Sequence, residues 1–263
     1  MSETHATSRA LAAKAAREKL RRLSSLRNSL PADALENLER AQRIDITFTS
    51  NALEGNTLTA GETALVLEKG LTIGGKPLKD HLEATDHAHA LDWVNEIASR
   101  HRSAPVTEAD IRALHALIVA QSNRAIAGQY ADKARFVNGS RGVHAFPSPI
   151  EVPALMRAFV EWLQSSPDEP ATAFEAHRRL VAIHPFNDGN GRTARLLMNL
   201  VLLRGGYPAI AIRPEDRPAY IAALEDIDDP RGVAAFDELM FWRLGQTLDL
   251  YLKAVEQAQP RTS

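Results

Sequence analysis

"FEAHRRLVAIHPFNDGNGRTARLLMNLVLLRGG", Phe174 to Gly206, reads as two helices meeting at a tight, glycine-containing bend. His177, Leu180, Val181 and His184 fall at i, i+3, i+4 and i+7, one face of a first helix. Pro185 disfavours the helical basin for the residue before it, so His184 should close that helix with its ring edge at a cleft. Gly189 and Gly191 let the chain turn so that successive N–H groups point at one anion. A second helix starts there, and its N-terminus adds free amides and partial positive charge. Arg192 and Arg195 share one face of its first turns, where the helix dipole disfavours cations, so a bound polyanion explains them better. Beyond them "LLMNLVLL" is apolar nearly all round, the mark of a helix buried in a domain centre. Imidazole, carboxylate, glycines and guanidiniums together suit a phosphate chain and a divalent cation held beside a base. A calcium loop is excluded: with Gly191 sixth, Phe186 stands first and Leu197 twelfth, and with Gly189 sixth, Arg195 stands twelfth.

"HPFNDGNGRTAR", His184 to Arg195, resembles the signature of the Fic (Fido) family, H-P-F-x-[D/E]-G-N-G-R-x-x-R, with every defined position filled. The likeness extends over about residues 45 to 245. It implies a protein adenylyltransferase that moves AMP from ATP to a Ser, Thr or Tyr hydroxyl of a target protein, with Mg²⁺ as cofactor. His184 would be the general base, Asp188 the Mg²⁺ ligand, and Gly189, Asn190 and Gly191 the anion cradle. Arg192 and Arg195 would grip the β and γ phosphates. Two rival functions stay open: removal of AMP from a modified protein by the same site, and a non-enzymatic nucleotide-sensing regulator.

Upstream, "TFTSNALEGNTLT" puts Ser50 and Glu54 four apart on one helical face, with Gly55 placed to end the helix. A glutamate in a last helical turn faces the negative end of the dipole, so a cation should answer it. The segment resembles the family's inhibitory motif, [S/T]-x-x-x-E-[G/N], in its N-terminal class. By that resemblance Glu54 pairs with Arg195 and occupies the place of the γ phosphate.

The rest of the chain supplies a helical frame. Helices are expected at roughly 8–30, 32–54, 59–69, 79–102, 107–121, 150–165, 171–184, 191–205, 214–226 and 233–257. Strand-like alternation is confined to "KARFVNGSRGVHAF", two short runs around Asn138, Gly139 and Gly142. The fold class is therefore all-α with one small β-hairpin. In the Fic family such a hairpin is a flap over the active site that pairs with the target's backbone, here about Phe136 to Val143, with Val137, Asn138, Gly139 and Ser140 nearest the nucleotide. The segment after the motif helix resembles the family's as well, and by that resemblance Tyr220 would be the aromatic contact to base or ribose.

"GLTIGGKP", Gly70 to Pro77, nearly spells a P-loop, but Pro77 replaces the hydroxyl residue and a helix precedes it, so it reads as a loop. His81, His87 and His89 lack a fourth ligand at a usual spacing, and His177 reads as a core residue. From Arg9 to Arg27 seven Lys or Arg face one Glu, with Leu20, Leu23, Leu26 and Leu30 as a stripe that would lay a basic terminal helix on the domain. The expected division is a basic helix over 1–30, N-terminal helices with the inhibitory motif over 31–105, the catalytic core over 106–245 and a C-terminal helix and tail over 246–263. A chain of 263 residues with no cysteine, net charge −2 and 44% hydrophobic residues suits one large domain without disulfides. Near-neutral charge argues against nucleic acid as the main partner, and no apolar run reaches the ~20 residues of a membrane span. "MSETHATSRA" lacks the apolar core of a secretory signal, so the expected address is cytoplasmic. The expected partner is a protein target, with homo-oligomerisation open.

Overall fold

The computed structural model describes residues 3–26, 32–100, 104–139, 142–227 and 229–258. Ten helices are seen among them: α1 (Glu3–Leu26), α2 (Ala32–Leu53), α3 (Ala60–Lys69), α4 (Leu78–Arg100), α5 (Glu108–Ile118), α6 (Val152–Ser165), α7 (Pro170–Ile183), α8 (Asn190–Arg204), α9 (Arg217–Glu225) and α10 (Pro230–Ala258). Two strands, β1 (Phe136–Gly139) and β2 (Gly142–Ala145), pair antiparallel with Phe136 opposite Ala145 and Gly139 opposite Gly142. The hairpin thus runs two residues past the expected Val143, and residues 140–141 lie outside the described residues.

Helix α8 is the axis. Every residue from Arg192 to Leu202 is buried, and α7, α4, α5 and α2 surround it. On a helix so enclosed, a polar side chain must look to the protein for its hydrogen bonds. Asn199 meets this by donating to the Ile210 carbonyl (3.0 Å) and accepting the Ile210 N–H (2.9 Å).

Local signals set the starts of α3 and α5. Thr59 with Glu62 and Thr107 with Asp110 form capping boxes at α3 and α5, and Gly70 ends α3 in the left-handed conformation. Helix α5 stops at Ile118 rather than near 121 because the N–H groups of Gln121 and Ser122 turn to the Asp86 carboxylate of α4, at 2.9 and 2.8 Å.

Helix α1 lies along α10. Ala16 and Leu23 are buried, with Leu20 and Leu26 packed against the same core. Its cations meet acids of α10: Lys19 with Asp249 (2.7 Å), Arg22 with Glu256 (2.5 Å) and Arg9 with Asp237 (3.2 Å). Leu30 falls outside the described residues. One hydrophobic cluster joins Ala16 to Val255, and α10 passes unbroken through the boundary expected at 245/246.

Candidate active site

The site forms where α7 hands over to α8. His184 leaves α7 with φ 50° and ψ 56°, the one non-glycine residue with positive φ among the described residues. Left-handed backbone costs an L-residue roughly 1–2 kcal/mol, so the surroundings must hold it. They do: the His184 N–H donates to the Leu180 carbonyl (2.9 Å), and its ring stacks on Phe146 at 3.7 Å and 13°. Nδ1 lies 3.4 Å from the Val181 carbonyl, which leaves Nε2 as the free edge. Burial pushes this imidazole down to about 4; the Val181 carbonyl and Glu54 pull it up, and Arg135 and His144 push it down. The ring is therefore neutral at pH 7.

The bend is self-locking. Asn190 accepts the Phe186 N–H (2.9 Å) and donates to the Phe186 carbonyl (2.7 Å). Its side chain belongs to the turn, so what Asn190 offers an anion is its backbone N–H. Gly189 sits at φ 77° as the residue before α8, and its N–H donates to Asp188 Oδ1 at 2.6 Å. The Asp188 side chain is 46% exposed.

The two motif arginines are held by different carboxylates. Arg195 Nη2 donates to Glu54 Oε1 (2.6 Å) and to the Ser50 carbonyl (2.9 Å), while Nε donates to Ser50 Oγ (2.9 Å). Ser50 and Glu54 are thus brought to Arg195 as their spacing on α2 requires. Gly55, at φ 93°, turns the chain just beyond. Burial alone would push the Glu54 carboxyl up, but Arg195, aided by Arg192, outweighs it and holds the acid below its ordinary range. A Cβ at Gly191 would stand 2.4 Å from Glu54 Oε1, so the carboxylate lies directly over the first turn of α8.

Arg192 is 2% exposed, with Nη1 3.3 Å from Glu83 of α4 and Nη2 3.6 Å from Asp188. Its Nη1 thus answers Glu83, while the buried Nε makes no hydrogen bond. Glu83 also accepts from Asn56, directly after the α2 turn (3.2 Å).

Tyr220 departs from expectation. It is 3% exposed and stands behind Arg195, its hydroxyl 2.9 Å from His177 Nε2 and 3.4 Å from Arg195 Nη1. Packed also near Phe236, it braces the arginine from the core side rather than presenting a ring to open space. His177 is fully buried, as a core residue. His81 bridges the Ile73 N–H and the Pro77 carbonyl, His87 is fully buried and His89 exposed. In the hairpin Val137 and Asn138 are exposed, a Cβ on Gly139 would meet Glu225 at 3.0 Å, and Ser140 lies outside the described residues. Arg135 ties the base of the hairpin by donating to the Lys133 and Pro147 carbonyls.

Sequence reasoning missed Glu83, Phe146 and His115. The last lies on the face Ile111, Leu114, His115, Ile118 of α5, and a histidine on an apolar stripe was its only signal.

With this geometry in place, comparison with known proteins is direct. The Fic/DOC family pattern matches residues 105–202. A Fic domain containing signaling protein from Bacteroides thetaiotaomicron superposes with a TM-score of 0.81 at 33% identity, covering 91% of this chain and 97% of that one. Fic-1 from C. elegans gives 0.76 at 30% identity, over 90% of this chain and 71% of that one. The protein adenylyltransferase Fic of Nematostella vectensis is 34% identical over 231 residues, 85% of this chain and 52% of its own length. That of Drosophila mojavensis is 35% identical over 246 residues, 89% and 48% respectively. The chain belongs to the Fic/DOC family. It spans about half the length of these two curated relatives. No helix among the described residues is long and apolar enough to cross a membrane.

Proposed function

We propose that this chain transfers AMP from ATP to a Ser, Thr or Tyr hydroxyl of a target protein, and that Glu54 restrains it. The observation that carries the reading is the neutral His184 edge placed beside a helix N-terminus whose second arginine is occupied by a carboxylate. An anion is what that arginine and those amides call for.

Asp188 offers one half-exposed carboxylate, and among the described residues no three metal-ligating side chains gather. That donor set fits Mg²⁺, which takes one or two carboxylates and completes its shell with phosphate oxygens and water. Asp188 would hold the ion, whose charge would neutralise the phosphate oxygens.

The chain's own residues do the rest. His184 Nε2 accepts the target hydroxyl's proton as that oxygen bonds to the α phosphorus, and the bond from the α phosphorus to the bridging oxygen breaks to release pyrophosphate. The amides of Asn190, Gly191 and Arg192, with the positive charge of the Arg192 guanidinium, stabilise charge on the leaving phosphates. Val137 to Gly139 of the flap would lie nearest the nucleotide and align the target strand. Glu54 on Arg195 stands where the γ phosphate must lie.

The test is incubation of wild type, Glu54→Gly and His184→Ala with a panel of α-labelled nucleotides and a cell lysate. Labelling by Glu54→Gly with ATP, abolished when His184→Ala is added, supports the reading. If Glu54→Gly labels neither itself nor any lysate protein, AMP transfer is rejected.

A further inference from the structure

The motif loop leans on a residue of another helix. His115 of α5 contacts that loop through both its edge and its face. The Gly128 N–H donates to Nδ1 at 3.0 Å, which makes Nδ1 the unprotonated nitrogen and places the ring's proton on Nε2. Nε2 lies 3.0 Å from the Asp188 carbonyl, so the proton is donated there. The ring face stacks on Phe186 at 3.7 Å and 1°, and a Cβ at Gly189 would stand 3.4 Å from Cδ2. Phe186, Asp188 and Gly189 are thus all set against one imidazole.

The peptide between Asp188 and Gly189 transmits this contact. It is trans, like every described peptide bond, so its C=O and N–H point in opposite directions. The C=O is fixed on His115, and the N–H on the far side is the group that meets Asp188 Oδ1 at 2.6 Å. Gly128, at φ 67°, matches this arrangement: a Cβ there would come within 3.1 Å of the Arg112 carbonyl.

We propose that His115 is a positioning residue for the Asp188 carboxylate. By donating Nε2–H to the Asp188 carbonyl it sets the peptide whose N–H orients Oδ1 toward a metal–nucleotide. The inference rests on the reading that Asp188 serves such a complex. Hydrogen-bonded partners of metal-ligating carboxylates are worth about 10–100-fold in metal affinity when removed.

The experiment uses the full chain carrying Glu54→Gly, with Mn²⁺ as the spectroscopically visible ion and a non-hydrolysable ATP analogue. Mn²⁺ binding is followed by electron paramagnetic resonance, and the Mg²⁺ dependence of labelling is measured in parallel. His115→Phe keeps a ring on Phe186 but removes both hydrogen bonds. It should weaken Mn²⁺ binding about tenfold and raise the Mg²⁺ concentration at half-maximal labelling in step, with the rate at saturating Mg²⁺ largely kept. His115→Gln, whose amide can again donate to the Asp188 carbonyl, should return most of the affinity. Unchanged Mn²⁺ affinity in His115→Phe, or an equal loss in His115→Gln, overturns the positioning role. Failure of the Glu54→Gly parent itself to bind Mn²⁺ with the analogue overturns the site reading, and this inference with it. Should His115→Phe fail to fold, His115→Leu, which also removes both hydrogen bonds, takes its place in the same comparison.

Discussion

Removing the Glu54 carboxylate should raise productive nucleotide binding and lower the stability of the empty protein by comparable amounts. Glu54 Oε1 accepts one charge-assisted hydrogen bond, at 2.6 Å, from a guanidinium that is 5% exposed. Such a bond contributes about 1.5–3 kcal/mol. Because the Glu54 side chain is 40% exposed, solvent screening places it in the lower part of that range, roughly 1.5–2 kcal/mol. At about 1.4 kcal/mol per factor of ten, Glu54→Gly should bind ATP roughly 10- to 30-fold more tightly in the productive pose. Arg195 keeps Ser50 but loses its counter-charge, so the empty variant should melt roughly 3–8 °C lower. Saturating ATP should restore that loss, since the phosphate takes the vacated place. Glu54→Gln, which keeps an acceptor without the charge, should fall between. The assays are isothermal titration with ATP, incorporation from α-labelled ATP, and thermal melts with and without nucleotide. A variant that melts lower but gains neither affinity nor labelling would show Glu54 to be a structural ion pair only.

His184→Gly should abolish labelling without a large stability loss, because glycine relieves a left-handed backbone cost of about 1 kcal/mol; a melt many degrees lower speaks against this. Labelling by Glu54→Gly should hold steady from pH 8 to 5 and fall only toward about pH 4, where His184 gains its proton. A fall centred near the ordinary histidine value of 6.5 would refute the buried, neutral base. Stability should also drop as pH falls below 6.5 in urea titrations: His87, His177 and His184 have lowered folded values, so the unfolded chain binds more protons there. Leu197→Ala, at a fully buried position of α8, should cost about 2–5 kcal/mol by chemical denaturation, and a loss under 1 kcal/mol would contradict the enclosed axis.

Where the sequence was informative, local chemistry made it so. Pro185 stops α7 at its neighbour, Gly189 admits the positive φ of the bend, and Ser50 and Glu54 share a helical face whatever surrounds them. The flap was legible for the same reason, since Gly139 and Gly142 are the last pair of its ladder. What escaped depends on partners distant in the chain. The end of α5 is set by Asp86, 35 residues upstream of Gln121. Tyr220 is drawn inward by His177 and Arg195 of other helices, and no property of its own segment announces this. Glu83 and His115 became visible as site residues only once α4 and α5 were seen against α8.

The end of α2 is moored on three sides. Arg195 holds the Ser50 carbonyl, Arg217 donates to the Leu53 carbonyl at 3.2 Å, and Asn51 reaches the Glu83 carbonyl at 3.4 Å. Swinging that whole segment aside would break all of these bonds, whereas rotating the Glu54 side chain breaks only one. Release of the proposed restraint is therefore a matter of a single rotamer, and whatever governs it acts by changing which way one carboxylate leans.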